Sequence, residues 1–148
     1  MPKVAVIYYS RGGNTRKMAE LVAAGCREVA GVEAELMSLP GLDLQSVRQA
    51  DAYAIGSPDY FSYMAGHVKT FYDEAHALKQ ELSGRPYVAF CTHGGGGRAL
   101  ESLERLSQAL GLEQAAPGMA CAGAPGPEDE DDVRALGHAL AQAVVEQS

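Results

Sequence analysis

Segments of continuous apolar residues alternate along the chain with segments whose apolar residues recur three and four positions apart. The continuous segments at 4–9, 52–56 and 87–91 are typical of strands that are buried on both faces. Residues 32–37 alternate between apolar and polar, which is typical of an edge strand with one covered face. A weaker fifth strand is predicted at 119–122.

A helix is predicted after each of these strands, and the second of them is short, at 44–48. The residues expected on the buried faces of the other four are Met18, Leu21, Val22, Cys26 and Val29; Met64, Val68, Phe71, Tyr72 and Ala75; Leu100, Leu103, Leu106 and Leu110; and Val133, Leu136, Leu140 and Val144. This alternation predicts an open five-stranded parallel sheet between two layers of helices, a three-layer α/β fold in a single domain over residues 1–148. Ligands of such sheets bind beyond the carboxyl ends of the strands, where the strand order reverses.

Charge narrows the range of functions. The net charge is −7, and five consecutive acids occupy residues 128–132, so the remainder of the chain carries only −2. This balance disfavours binding to nucleic acid. The acidic run begins where a helix is predicted to begin, and acids there complement the helix dipole. We interpret it as a solvated helix N-terminus, with a docking patch for a basic partner as the alternative.

The apolar runs and the cysteine spacing lead to predictions about the compartment of the protein and about metal sites. No apolar run approaches the length of a membrane span, and the N-terminus has no signal-peptide pattern, so a cytoplasmic protein is expected. The three cysteines, Cys26, Cys91 and Cys121, are far apart and form no C-x-x-C motif. This spacing disfavours disulfides, zinc and iron–sulfur clusters, so no metal site is predicted. Each cysteine is expected to be a small buried side chain.

The turn after the first strand is rich in glycine and polar residues: Ser10, Arg11, Gly12, Gly13, Asn14 and Thr15. It leads into a helix, whose first N–H groups lack partners and whose dipole favours an anion. The glycines permit close backbone approach, and the polar side chains can donate to phosphate oxygens. The turn therefore predicts a phosphate site, although it is neither a G-x-G-x-x-G nor a Walker sequence. The alternative is a helix capped by Asn14 or Thr15.

A second loop is predicted at 57–63, after the third strand. Pro58 stiffens it, and three aromatic residues, Tyr60, Phe61 and Tyr63, lie within four positions. Aromatic side chains suit stacking against a flat ring. We expect either Phe61 or Tyr63 to pack on the following helix and another aromatic to face a ligand.

A third loop, at 92–97, contains Thr92, His93 and four glycines. Glycines let main-chain N–H groups approach a planar or anionic group, and the alternative is a flexible spacer. A lone histidine in such a loop is more often solvated than catalytic. Because all three loops follow parallel strands, they should meet at one edge of the sheet. Together they indicate a flat heterocycle with a phosphorylated tail.

These loops resemble those of flavodoxins and flavodoxin-like quinone reductases, and the resemblance covers nearly the whole chain. Residues 10–15 are similar to the family's FMN-phosphate loop, and 92–96 to its pyrimidine-side flavin loop. The residues similar to the flavin loop and helix of the quinone reductases, and of archaeal iron–sulfur flavoproteins, are Gly56, Ser57, Pro58, Phe61, Met64, Phe71 and Asp73. The cysteine cluster of the latter proteins is absent. The resemblance implies the strand order 2-1-3-4-5, with noncovalent FMN at the point where the order reverses.

The resemblance also implies which residues contact FMN. Those implied at the phosphate are Ser10, Arg11, Gly12, Gly13, Asn14 and Thr15; those along one side of the ring are Pro58, Asp59, Tyr60 and Phe61; and those donating toward the pyrimidine are Thr92, His93, Gly94 and Gly95. The isoalloxazine performs the redox chemistry, so no side chain is assigned a catalytic role.

Two redox functions compete within this resemblance. We favour an enzyme, an NAD(P)H:quinone oxidoreductase, because the second loop resembles that branch and no Trp is available to cover the flavin. The acidic run also lies on the last helix, whereas a carrier would gain from acids around the flavin edge. The alternatives are a one-electron carrier that docks on a reductase and a binding domain without cofactor. A homo-oligomer is left open, as is the role of Asp59.

Overall fold

The structure, a computed structural model, describes residues 1–147, which contain seven strands and six α-helices. The strands are β1 (Lys3–Tyr8), β2 (Glu33–Ser38), β3 (Ala52–Tyr60), β4 (Tyr63–Met64), β5 (Pro86–His93), β6 (Glu113–Gln114) and β7 (Met119–Ala122). The helices are α1 (Asn14–Arg27), α2 (Leu44–Gln49), α3 (Gly66–Ala75), α4 (Lys79–Leu82), α5 (Ala99–Ala109) and α6 (Pro127–Gln147), with a 3-10 turn at His76–Leu78 between α3 and α4.

The central sheet is parallel and has the order β2-β1-β3-β5, with β6 and β7 both paired to the outer edge of β5. The predicted order 2-1-3-4-5 is therefore confirmed, but the fifth position is occupied by two short strands. The first pairs with the start of β5, at Pro86, and the second with its end, at His93. Between them the chain passes close to β5 at Gly118, where a Cβ atom would lie 2.7 Å from the carbonyl oxygen of Ala89.

Two buried apolar clusters cover the two faces of the sheet, as expected of a three-layer fold. One lies between the sheet and helices α2, α3 and α5, and the other between the sheet and helices α1 and α6. The helices α1 and α6 cross at two glycines. A Cβ atom on Gly25 would lie 1.9 Å from the carbonyl oxygen of Arg134, and one on Gly137 would lie 2.0 Å from that of Val22. The sequence did not single out this close crossing.

The segment 57–63, predicted as a loop, is instead a β-hairpin. Strand β3 continues to Tyr60, and β4 returns antiparallel to it after a turn at Phe61 and Ser62. Proline normally disfavours a strand interior because it donates no ladder hydrogen bond. Here β1 ends opposite Gly56, so Pro58 pairs only with β5 and lies on a free edge. Met64, which was expected on a helix face, lies in β4 and is buried.

The three cysteines are unpaired and buried, which confirms that expectation. Burial raises the pKa of Cys26 and of Cys91 to about 12 and also raises that of Cys121, so the thiols stay protonated at neutral pH. No group of three or more His, Cys, Asp or Glu side chains within residues 1–147 could hold a metal ion. No helix in the same range is both long and apolar enough to cross a bilayer.

Candidate functional site

A cleft of about 390 Å³ lies at the carboxyl ends of β1, β3, β5 and β7. The three loops predicted to meet do meet there. The predicted residues that line it are Ser10, Arg11, Gly12, Asn14, Thr15, Pro58, Asp59, Tyr60, Thr92, His93 and Gly94. Gly13, Phe61 and Gly95 do not line it, whereas Ala122 and Gly123 do and were missed. The predicted fifth strand was the signal for these two, since its carboxyl end reaches the same edge of the sheet.

The turn before α1 carries the groups suited to an anion. Gly13 is the N-cap residue, with a left-handed φ of 102°, and it makes no side-chain cap. Ser10 acts in its place, because its Oγ accepts hydrogen bonds from the N–H groups of Gly13 (3.1 Å) and Arg16 (3.2 Å). Neither Asn14 nor Thr15 is therefore the N-cap. Their own N–H groups, at the start of the helix, have no acceptor within residues 1–147.

Arg11 brings a cationic side chain to this end of the cleft. The first turn of α1 contains no acidic residue that would compete for it or repel an anion. The start of the helix thus combines a positive side chain, unsatisfied N–H donors and the positive end of the helix dipole. This combination suits a phosphate group.

Residues of the β3–β4 hairpin form a second wall. Pro58, Asp59 and Tyr60 line the cleft, and Tyr60 also packs against the apolar cluster on the α3 side of the sheet. The hairpin base is held by the Ser57 hydroxyl, which accepts a hydrogen bond of 2.8 Å from the N–H of Ala65. This wall therefore places an aromatic ring and a carboxylate beside the third loop.

The hairpin tip departs from the sequence prediction. Phe61 is fully exposed and does not line the cleft, and Tyr63 is 39% exposed. Phe61 therefore lies outside the cleft lining, and its contact with one side of a ring stays a prediction, whereas the expected packing of Phe61 or Tyr63 on α3 is not seen. Both turn residues have positive φ, 57° for Phe61 and 66° for Ser62. Such values are rare outside glycine and are strained for a bulky aromatic residue.

His93 closes the third wall at the end of β5. Its carbonyl oxygen accepts a hydrogen bond of 2.8 Å from the N–H of Gly123, which ties the third loop to the segment after β7. Its imidazole lies against Gly97, whose Cβ position would be 3.0 Å from the ring. The Nδ1 atom is buried and has no hydrogen-bond partner within residues 1–147. A buried polar atom without a partner is costly, and here it lies on a residue that lines the cleft.

The acidic run is close to this cleft, which the sequence did not indicate. Gly123 lines the cleft, and α6 begins four residues later at Pro127 with the acids in its first turn. Asp129 accepts a hydrogen bond of 3.0 Å from the N–H of Gly126, and both Glu128 and Asp129 help to raise the pKa of Cys121 in β7. Glu128 and Asp129, at the start of the acidic run, therefore lie near the carboxyl-end edge of the sheet.

The donor set fits a planar heterocycle with a phosphate tail. Free N–H groups and Arg11 lie at one end, Tyr60 lies along one wall, and His93 and Gly94 lie along the third. One end can hold an anion, and the other can form hydrogen bonds to a polar ring edge.

Known proteins agree with this geometry. The family model described as flavodoxin matches residues 6–137. A flavodoxin of Aquifex aeolicus (strain VF5) is 41% identical over 98 residues, which are 66% of this chain and 53% of that protein. The chain spans about half the length of the curated relatives it matches.

Solved structures give the same fold over almost the full length. A flavodoxin from the domain Archaea superposes with a TM-score of 0.89 at 26% identity, covering 97% of this chain and 99% of that one. The rubredoxin oxygen:oxidoreductase of Desulfovibrio gigas has a TM-score of 0.90 at 21% identity, with 98% of this chain and 36% of that one covered. The latter likeness concerns the fold alone. The chain belongs to the flavodoxin family, whose members bind FMN.

Proposed function

We propose that this protein is an electron-transfer flavodoxin that binds FMN in the cleft and exchanges electrons with a redox partner protein. The observation that carries the proposal is the meeting of three loops that are far apart in sequence at one cleft, with the acidic start of α6 beside it. The free N–H groups at the start of α1 and the Arg11 side chain beside them support an occupied site over a binding domain that has lost its cofactor.

The phosphate of FMN would lie at the start of α1. There it would receive hydrogen bonds from the N–H groups of Asn14 and Thr15, and Arg11 would balance its charge. Ser10 contributes through its acceptance of two N–H groups, which holds the turn in shape. Gly12 lines the cleft, and no atom lies within 4 Å of the position its Cβ would take, so the backbone can approach the ligand closely.

The ring of FMN would lie between the hairpin and the third loop. Tyr60 offers an aromatic face and Asp59 a negative charge, while the imidazole of His93 and the N–H of Gly94 can form hydrogen bonds to polar ring atoms. FMN supplies the electron-transfer chemistry when bound, and these residues position it and shape its electrostatic surroundings. Gly13, Phe61 and Gly95 are not assigned contacts with the cofactor.

Charge favours the carrier over the enzyme. Glu128 and Asp129, the first of five consecutive acids, lie near the edge that holds the cleft, where they would attract a partner with a basic surface. The unpaired, buried thiols of Cys26, Cys91 and Cys121 fit a reducing compartment, so we propose that the protein is cytoplasmic. Because one sheet carries both apolar clusters, we further propose that residues 1–148 act as one domain.

The second candidate is an NAD(P)H:quinone oxidoreductase. Its support is that the sequence has no Trp to cover the cleft and that Phe61 is exposed and does not line the cleft, which would leave a flavin face open to a nicotinamide or a quinone. Hydride transfer requires such access, since the reacting atoms must approach closely and in line. We rank the enzyme second because it rests on the resemblance of the hairpin sequence to quinone reductases, and no residues are assigned to binding NAD(P)H.

One experiment tests both. The purified protein is loaded with FMN, its visible spectrum is recorded, and it is mixed anaerobically with NADPH and NADH, first alone and then with a flavodoxin reductase. A carrier bleaches rapidly only with the reductase present. Rapid bleaching by NADPH or NADH alone would favour the quinone reductase. A protein that remains colourless after incubation with FMN would overturn both.

A further inference from the structure

Two buried threonine hydroxyls join the first loop to the third. Thr15 lies in the first turn of α1 and Thr92 lies near the end of β5, 77 positions later. Their Oγ1 atoms are 2.7 Å apart, and the two residues are 2% and 3% exposed. Within residues 1–147 neither hydroxyl has another hydrogen-bond partner. Both residues also line the cleft.

The direction of this hydrogen bond matters, because each hydroxyl has one proton. If Thr15 donates, the proton of Thr92 is left without an acceptor in a buried position. If Thr92 donates, the proton of Thr15 is available for a group outside the pair. The N–H groups of Asn14 and Thr15 are free beside it, so an anion at the start of α1 would accept all three donors. Such a chain of hydrogen bonds also strengthens each member by polarisation.

We propose that Thr92 is a positioning residue that donates to Thr15 Oγ1 and thereby directs the Thr15 proton toward the phosphate monoester of FMN. The inference rests on the proposed function and deepens it. It assigns to the phosphate end a residue that the sequence resemblance places at the pyrimidine end. Its consequence is that a side chain at the end of β5 controls how strongly the phosphate, and not the ring, contributes to affinity.

The test compares FMN with riboflavin, which has the same ring and lacks the phosphate. The ratio of the two affinities is measured by fluorescence titration in the wild type, in Thr92→Val and in Thr92→Ser. Thr92→Val keeps the shape and removes the hydroxyl, so the ratio should fall by between about threefold and tenfold, the usual range for one hydrogen bond. Thr92→Ser should restore it. If the Thr15–Thr92 hydrogen bond only held the two segments together, Thr92→Val would lower the affinities for FMN and riboflavin equally. The ratio would then be unchanged, which would overturn the proposal.

A double-mutant cycle locates the effect. If Thr92 acts through Thr15, then Thr92→Val should change the ratio in the wild type and not in a Thr15→Val background. An equal change in both backgrounds would mean that Thr92 acts on the ligand independently, and the proposal would be wrong.

A second measurement needs no variant and therefore no assumption about its folding. Inorganic phosphate is titrated into the wild-type apoprotein while the threonine methyl resonances are followed by NMR. The methyl groups of Thr15 and Thr92 should shift with one apparent dissociation constant. A shift of Thr15 alone would refute the coupling. Failure of the wild type to bind FMN at all would refute the proposed function, and an unchanged affinity ratio with FMN bound would refute only this inference.

Discussion

The interface between α1 and α6 and the ligand edge of the sheet follow opposite rules. At the interface, two glycines bring the helix backbones together, and the Cys26 thiol donates to the carbonyl oxygen of Gly137 at 3.3 Å. At the ligand edge, two non-glycine residues have positive φ, and a buried imidazole nitrogen has no partner. The first region is packed for stability, whereas the second keeps strain and unsatisfied donors that a ligand or partner can use.

The packed side is expected to be the more sensitive to the addition of one methyl group. Gly137→Ala should lower the free energy of unfolding by about 3 kcal/mol, because its Cβ would lie 2.0 Å from a backbone oxygen and the helices would have to separate. The control is Gly66→Ala at the start of α3, where no atom lies within 4 Å of the Cβ position. This variant is expected to raise the free energy of unfolding by less than about 1 kcal/mol. Urea denaturation measures both. Equal effects of the two variants would show that the helix crossing is not close.

At the ligand edge, a methyl group acts through backbone strain. Gly13→Ala should lower the stability of the apoprotein by about 1–2 kcal/mol and weaken FMN binding, because Gly13 has φ of 102° although nothing lies within 4 Å of its Cβ position. Gly12→Ala is the matched control, with equally open space and no left-handed φ, so the apoprotein should keep its stability. Thermal unfolding and FMN titration check both. If the two apoproteins prove equally stable, strain at Gly13 is not the cause.

Removal of the unpartnered imidazole should separate stability from binding. His93→Leu should weaken FMN binding by about tenfold, since a hydrogen bond to the ring is lost, while the apoprotein becomes as stable or up to about 1 kcal/mol more stable. The control is His138→Leu on α6, whose ring lies 3.6 Å from a Glu28 oxygen, and it should leave FMN affinity unchanged. Isothermal titration and denaturation supply the two numbers. Loss of apoprotein stability in His93→Leu would contradict this account.

The hairpin tip should show a gain in stability with a loss in function. Phe61→Gly should stabilise the apoprotein by about 1 kcal/mol by relieving the positive φ, and it should slow electron exchange with a flavodoxin reductase if the exposed ring is a partner contact. Val145→Ala removes an exposed apolar side chain near the other end of α6 and should not alter that rate. Stopped-flow reduction measures the rates. An unchanged rate in Phe61→Gly would remove Phe61 from the docking surface.

The smallest expected effect concerns a buried polar atom that has no hydrogen-bond partner but lies away from the cleft. Glu104 Oε1 is also buried without a partner within residues 1–147, although it lies on α5 beside Gln114 of β6, and no function is proposed for it. Burial raises the pKa of Glu104, so the folded state binds the proton more tightly than the unfolded state. Its contribution is therefore present at low pH and is lost as the pH rises through the folded pKa.

Glu104→Gln should accordingly raise stability at neutral pH by about a few tenths of a kcal/mol, allowing for partial solvent screening, and the gain should vanish near the ordinary carboxyl pKa of about 4. The exposed neighbour Glu113→Gln is the control. Urea denaturation across pH measures both. A gain that grows as the pH falls would reverse the sign and contradict the assignment.

The periodicity of the sequence alone predicted the layers and the edge of the sheet at which the cleft lies. Apolar runs followed by helical repeats specify parallel strands and crossovers locally, and the loops at 10–15 and 92–97 carried enough polar and glycine residues to mark the cleft. The family resemblance then supplied the strand order and FMN. These features depend on neighbours along the chain, so they could be predicted without a tertiary structure.

Only the tertiary structure decided the features that depend on distant contacts. Phe61 and Ser62 carry no turn signal of the Asn-Gly kind, so the hairpin became visible only with β3 extended along β5. The Thr15–Thr92 bond and the Gly25–Gly137 crossing join residues 77 and 112 positions apart, and no local pattern records such pairs. The position of the acidic run beside the cleft likewise follows from β7 pairing with β5. The composition could not show this position, because it does not record how far apart charges lie in space.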